Sequence, residues 1–224
     1  MRRTHRIAVA IAALALAAPI GAAALMGGTD GPDVLTGTRG PDLIEARAGA
    51  DVAAGGPGAD LVRGADGADV LMGGRGADHL LGGAGGDTLL GGPGRDHLLG
   101  QGGDDVLLGG GRGDVLSGGS GDDRLIGGHG HDTLWAGAGA DVLLGGTGAD
   151  HLNARMPDGV RDVLRCGPGR DAAVLRPEDV AIGCERVRVL PAAATYADPG
   201  DEDALPTRHA RGDARGGDED PDEV

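Results

Sequence analysis

One aspartate recurs every nine residues. Asp33, Asp42, Asp51, Asp60, Asp69, Asp78, Asp87, Asp96, Asp105, Asp114, Asp123, Asp132, Asp141 and Asp150 hold one phase through fourteen consecutive units, from Gly28 to Asn153. Each stands in a Gly-rich segment, as in Gly-Gly-Ala-Gly-Gly-Asp-Thr-Leu-Leu over 82–90 and Gly-Gly-Pro-Gly-Arg-Asp-His-Leu-Leu over 91–99. A carboxylate set among loops that expose backbone carbonyls supplies hard oxygen ligands, the donor set of a hard divalent cation. Asp is also common in tight turns. Turn chemistry alone does not demand Asp at one phase fourteen times and Asn never.

The rest of the unit must position those carboxylates. Position four is Gly in thirteen units, with Arg112 the exception, and position one is Gly in twelve, with Ala46 and Ala136 the exceptions. Gly tolerates positive φ, so the first half of each unit is expected to turn sharply. Position eight is apolar in every unit, mostly Leu, with Ala53 the smallest. The last three residues, such as Thr88-Leu89-Leu90, are expected to form a short strand with alternating side chains. So short a strand needs neighbours, and stacking successive units would join the position-eight side chains into one core. An aromatic core is excluded, because the 224 residues include no Phe, one Trp (Trp135) and one Tyr (Tyr196).

This nonapeptide resembles the calcium-binding repeat of the RTX, or haemolysin-type, proteins, over residues 28–153. The resemblance implies an all-β fold, a right-handed parallel β-roll (a β-solenoid) with two nonapeptides per turn and calcium between stacked turns. Asp33, Asp51, Asp69, Asp87, Asp105, Asp123 and Asp141, from the odd repeats, would then line one edge, and the other seven the opposite edge. Adjacent loops of a column would lie one rung apart, about 4.8 Å. Carboxylates at that spacing repel by roughly 3 kcal/mol per pair at an effective dielectric of 20. Ordering so much Gly adds a further cost. The metal-free repeat is therefore expected to be largely disordered and to fold on binding calcium. Calcium takes about six to eight oxygens in flexible geometry, whereas magnesium demands a tighter octahedron. Six gaps in each column of seven loops give at most about twelve ions. Arg112 is expected to weaken its loop's site; Asp30, Asp66, Asp104 and Asp122 add second carboxylates to theirs.

Positions seven and nine are expected to face outward. In the odd repeats they are largely apolar, as in Val52/Ala54, Val70/Met72, Val106/Leu108 and Val142/Leu144. Either that face is covered by self-association or a partner, or it reflects strand propensity alone. His79 and His97 fall on adjacent even rungs, and His129 and His131 flank one turn. Each pair is either an exposed, incidental pair or a transition-metal site.

Residues 1–24 read as a secretory signal peptide: Arg2, Arg3 and Arg6, then the apolar run 7–18, then small residues with cleavage expected after Ala24. A retained anchor is the alternative reading. Residues 154–190 read as degenerate repeats and a C-terminal cap, with a closing strand within Val180–Leu190. Cys166 and Cys184 are expected to pair there, as close cysteines in an exported chain do; two free thiols is the alternative. Residues 191–224 read as a disordered acidic tail.

A net charge of −15 argues against nucleic acid as partner. No His-Glu-x-x-His or Gly-x-Ser-x-Gly motif occurs, and no enzyme is expected. Arg-Gly-Asp occurs at 112–114 and 211–213, which this composition explains by chance. RTX toxins are exported on a C-terminal signal, so the N-terminal one here departs from a toxin-type route. The expectation is a secreted, extracellular calcium-binding structural or interaction module. The alternative is a calcium-dependent adhesin or cell-surface component engaging a partner through the apolar odd-repeat face.

Overall fold

The computed structural model describes residues 23–191, and no helix occurs among them. Nineteen strands follow one another from Leu25–Gly27 to Arg186–Val189 and alternate between two sheets, one of ten strands and one of nine. Every pairing is parallel, and residues 18 apart stand opposite each other: Thr88 beside Val106, and Val106 beside Arg124. Two nonapeptides therefore make one turn of a parallel β-solenoid of about nine turns. Positions seven to nine of the even repeats lie in the ten-stranded sheet and those of the odd repeats in the nine-stranded one.

Most array strands have six residues, where the sequence suggested three. Thr88–Pro93 joins Thr88-Leu89-Leu90 of one repeat to Gly91-Gly92-Pro93 of the next. The loop shrinks to positions four to six, as in Gly94-Arg95-Asp96. Positive φ at position two, 109° at Gly92, lets the strand bend while its ladder continues to Gly110. Position one is Gly for another reason, which is space. A Cβ on Gly82 would collide with the Asp87 Oδ2 and stand 2.8 Å from the Gly100 carbonyl oxygen.

The core is one row per sheet. Position eight is buried in every repeat from Leu35 to Leu152, and Leu164 and Ala173 extend the rows. Burying a Leu side chain contributes about 1.5–3 kcal/mol, and here that term repeats at every rung in place of an aromatic centre. Position one also faces inward, so Ala46, Ala136, Ala154 and Cys166 join the same cluster.

Both ends extend the solenoid. Leu25–Gly27 pairs with Leu43–Ala48, a rung earlier than the first repeat recognised in sequence. After Asn153 the register steps by three, so Val142 pairs with Val163 and His151 with Ala172. Within Val180–Leu190, where a closing strand was expected, there are two strands in opposite sheets, Val180–Ile182 and Arg186–Val189. They are separated at Gly183, whose φ of 71° turns the chain. The Cys166–Cys184 disulfide is present, with its Cα atoms 5.1 Å apart. Arg176 is buried beneath this end, donating from Nε to the Arg155 carbonyl at 2.8 Å and from its guanidinium to the Pro191 carbonyl at 3.0 Å. The expected leader, apart from Ala23 and Ala24, and the expected acidic tail, apart from Pro191, lie outside the described residues.

Candidate metal centre

All fourteen repeat aspartates are buried, none more than 4 % exposed. They point into the roll beside the position-one glycines, and do not project from its turns. From Asp42 onward, each carboxylate is held by the backbone one turn below: the Asp69 N–H donates to Asp87 Oδ1 at 2.8 Å, and the Asp87 N–H donates to Asp105 Oδ1 at 2.7 Å. The even column repeats the arrangement, as with the Asp96 N–H on Asp114 Oδ1 at 2.9 Å. The sequence suggested a ligand; the structure gives the same side chain a second task, accepting an N–H that would otherwise be buried without a partner.

The other oxygen has no such partner. Oδ2 of every repeat aspartate from Asp51 to Asp150 is buried with no hydrogen bond. The two N-terminal members differ. Thr29 and Thr38 donate their N–H groups to Asp33 Oδ2 at 2.5 Å and Asp42 Oδ2 at 2.6 Å, and Asp42 Oδ1 takes the Ala24 N–H at 2.7 Å. Asp33 keeps one unpartnered oxygen, Oδ1. A buried carboxylate oxygen without a donor costs several kcal/mol unless a proton or a cation meets it.

The surroundings favour a cation bound mainly by oxygen. A position-one residue with little or no side chain, Gly in most units and Ala46 or Ala136 in those of Asp51 and Asp141, lies beside the carboxylate, and a backbone carbonyl of the next turn comes close to it, as with Gly82 and Gly100, and Gly118 and Ala136. No three His, Cys, Asp or Glu side chains among the described residues converge on one point. A metal here would take one or two carboxylates and otherwise carbonyls, which fits calcium and does not fit zinc.

Without a cation the carboxyls hold protons more tightly than usual. Burial is the chief cause; the backbone N–H on Oδ1 opposes it, and the carboxylates one rung away add to it. Asp60, Asp87, Asp132 and Asp141 are pushed up to about 6, and Asp114 and Asp123 to about 7.

The ladder also runs past the repeats. The Asp141 N–H donates to Asp162 Oδ1 at 2.9 Å, and the Asp150 N–H to Asp171 Oδ1 at 2.8 Å. Asp179 and Glu185 then accept from Asp162 and Asp171 at 2.9 and 2.6 Å. Asp162 and Asp171 lie in the segment read from the sequence as degenerate repeats, displaced by a step of 21 residues in place of 18. Asp179 and Glu185 leave no periodic signal.

Arg112 does not break the ladder. It adopts a φ of 78° in a position built for Gly, and Asp114 below it keeps both rung bonds. Asp114 is 1 % exposed, so this Arg-Gly-Asp copy cannot present its carboxylate. Among the second carboxylates, Asp104 Oδ1 takes the Asp122 N–H and Asp122 Oδ1 the Ala140 N–H, each at 2.8 Å. His79 and His97 stack with ring centroids 4.8 Å apart, and burial and then the charge of His79 lower the pKa of His97. His129 and His131 are not brought onto one ion: His129 Nδ1 lies 2.8 Å from Thr147 Oγ1, and His131 Nδ1 accepts the Ala149 N–H at 2.8 Å.

A family model described as the RTX calcium-binding nonapeptide repeat (4 copies) matches residues 27–62, 47–80, 63–98, 81–116, 108–143 and 117–152. These overlapping matches cover more than half of the 224-residue chain. No curated protein matches it.

Proposed function

Because this chain belongs to the RTX calcium-binding nonapeptide repeat family, we propose that it is an extracellular protein whose roll folds on binding calcium and then serves as a structural or interaction module. The observation that carries the reading is the file of buried, unpartnered Oδ2 atoms from Asp51 to Asp150. Ionised and bare, such a file opposes folding at neutral pH; with calcium at each gap it joins one turn to the next. Asp51, Asp60, Asp69, Asp78, Asp87, Asp96, Asp105, Asp114, Asp123, Asp132, Asp141 and Asp150 are the assigned ligands. Asp33 and Asp42 are weaker candidates, because threonine N–H groups occupy one oxygen of each. The ligand role of Oδ2 leaves Oδ1 free to keep the rung bond, so binding does not disturb the ladder. The family assignment and the leader-like N-terminus support a location outside the cell, where calcium is abundant and the Cys166–Cys184 disulfide persists.

Calcium added to the chain in chelator tests this by circular dichroism. A cooperative rise in β signal is expected at sub-millimolar to millimolar calcium, with no rise in magnesium. A spectrum already folded in chelator and indifferent to calcium refutes the coupling of folding to binding.

One observation favours a second reading, an adhesin or surface component. The outer side of the nine-stranded sheet carries half-buried Val52, Val70, Met72, Leu90, Val106, Leu108, Ile126, Val142 and Leu144. Sedimentation of the calcium-loaded chain and pull-down on intact cells test it. A strict monomer that recovers nothing from the cell surface removes it.

A further inference from the structure

The two loop edges of the roll carry opposite charge, beyond anything the buried aspartates require. At positions three to five, the odd-repeat loops contain Asp30, Asp66, Asp104 and Asp122 and no basic residue. The same positions in the even-repeat loops contain Arg39, Arg75, Arg95, Arg112, His129 and His131 and no acid. In a chain with 35 acids and 20 arginines, the complete absence of acids from positions three to five of one edge is a segregation, not an average.

Three of the arginines of this edge are consecutive, and a histidine follows them. Arg75, Arg95, Arg112 and His131 sit on four successive turns of one column, all exposed. Gly76 and Gly94 form a bridge between the first two loops, and a Cβ on Gly130 would run into the Arg112 carbonyl, so the loops are in contact. Arg75, Arg95 and Arg112 make no ion pair among the described residues, where the one salt bridge is Arg63–Glu45. Like charges one rung apart repel, and Arg112 additionally holds a positive φ that most repeats give to Gly. Arg95, Arg112, Gly113, Gly130 and His131 line an open concavity of about 650 Å³. Because the Ala149 N–H donates to His131 Nδ1, the proton of the neutral ring sits on Nε2, a third donor for the same concavity.

We infer that this even edge, centred on Arg95, Arg112 and His131, binds a linear anionic polysaccharide, with sulfate or carboxylate groups seated on successive rungs. Planar guanidiniums on successive rungs suit such groups. Duplex nucleic acid carries a charge about every 1.7 Å and would extend beyond the stripe over a protein of net charge −15. A peptide has no free strand to pair with along this edge, since the open strands lie only at the two ends of the roll. The inference rests on the calcium-loaded roll, in which the aspartates under the stripe are neutralised.

The test uses the full chain and labelled dextran sulfate, followed by anisotropy over a salt series, with circular dichroism run in parallel. Arg95→Ala with Arg112→Gly removes the central charges using residues that other repeats carry at those positions, so the fold is preserved. Binding is expected to weaken at least tenfold, and the salt slope to fall by about two. Arg63→Ala, off the stripe, is expected to change neither. No binding by a calcium-folded chain, or undiminished binding by the double variant, overturns the inference. An oligonucleotide that binds as tightly as dextran sulfate overturns the ligand class; free sulfate that competes equally per charge overturns the extended ligand. Stripe-dependent binding with no calcium response in the dichroism keeps the stripe and removes the calcium reading.

Discussion

Replacing Asp87 by Asn separates the two tasks of a ladder aspartate. Asp87 is 1 % exposed, its Oδ1 takes the Asp69 N–H at 2.8 Å, and its Oδ2 has no partner. Its electrostatic neighbours are Asp105 and Asp69, one rung to either side. At about 4.8 Å and an effective dielectric of 20, each fully ionised pair repels by roughly 3 kcal/mol. Protons retained by carboxyls with raised pKa values reduce that figure, so relief of the two pairs contributes a few kcal/mol at neutral pH. Asn keeps an Oδ1 for Asp69 and places an amide donor where Oδ2 stood, toward the Gly100 carbonyl. Asp87→Asn is therefore expected to be more structured than the parent in chelator, yet to bind less calcium. Asp87→Ala loses the acceptor as well and strands a buried N–H, which costs about 1–3 kcal/mol; it should fall below Asn in chelator. Thermal melts by circular dichroism in chelator, with calcium stoichiometry by calorimetry, read both effects. Two results refute the reasoning: an Asn variant no more structured than the parent without calcium, or one with undiminished calcium stoichiometry.

Acid should substitute in part for calcium. The folded-state pKa values of Asp60, Asp87, Asp114, Asp123, Asp132 and Asp141 are raised to about 6 or 7 from 3.8. The metal-free roll thus binds protons more tightly than the unfolded chain. That stabilisation is complete below about pH 3.8 and is lost as pH rises through 6 to 7. In chelator, β signal at pH 5 should exceed that at pH 8, and a flat or opposite profile contradicts the assignment. In the core, Leu107→Ala empties a fully buried place in the position-eight row. It should destabilise the calcium-loaded roll by about 3–5 kcal/mol in denaturant titration, and a change below ~1 kcal/mol would mean that the row does not carry the stability. Replacing Cys166 and Cys184 with Ala opens a loop of 18 residues in sequence separation and should cost about 3 kcal/mol. Hydrogen exchange should then rise first in Val180–Ile182 and Arg186–Val189; uniform exchange along the roll speaks against a local role.

Much of the architecture was legible because each unit carries its own instructions. Phase-locked Asp, Gly at positions one and four, and an apolar position eight define the turn, the rung and the core row without long-range information. The disulfide was legible from an isolated cysteine pair. Strand length was not, because positions one to three look like loop by composition, and only pairing with the next turn draws them into the sheet. The extra rung at Leu25–Gly27 escaped for the opposite reason: Ala24 stands where an Asp would be, and only its backbone takes part. The end of the ladder at Asp179 and Glu185 follows contacts with Asp162 and Asp171, not a period.

The sequence by itself determined the period, the parallel stacked fold expected of it and the residue type offered to a cation at every half-turn. These are local, repeated choices, and repetition makes them readable. Only the tertiary structure decided which carboxylate oxygen is left bare, which is already taken by a backbone N–H, and which loops face one another along each edge. Those outcomes depend on residues 18 apart in the chain meeting one rung apart in space. There the backbone of one turn satisfies half of the carboxylate and leaves the other half buried without a hydrogen bond.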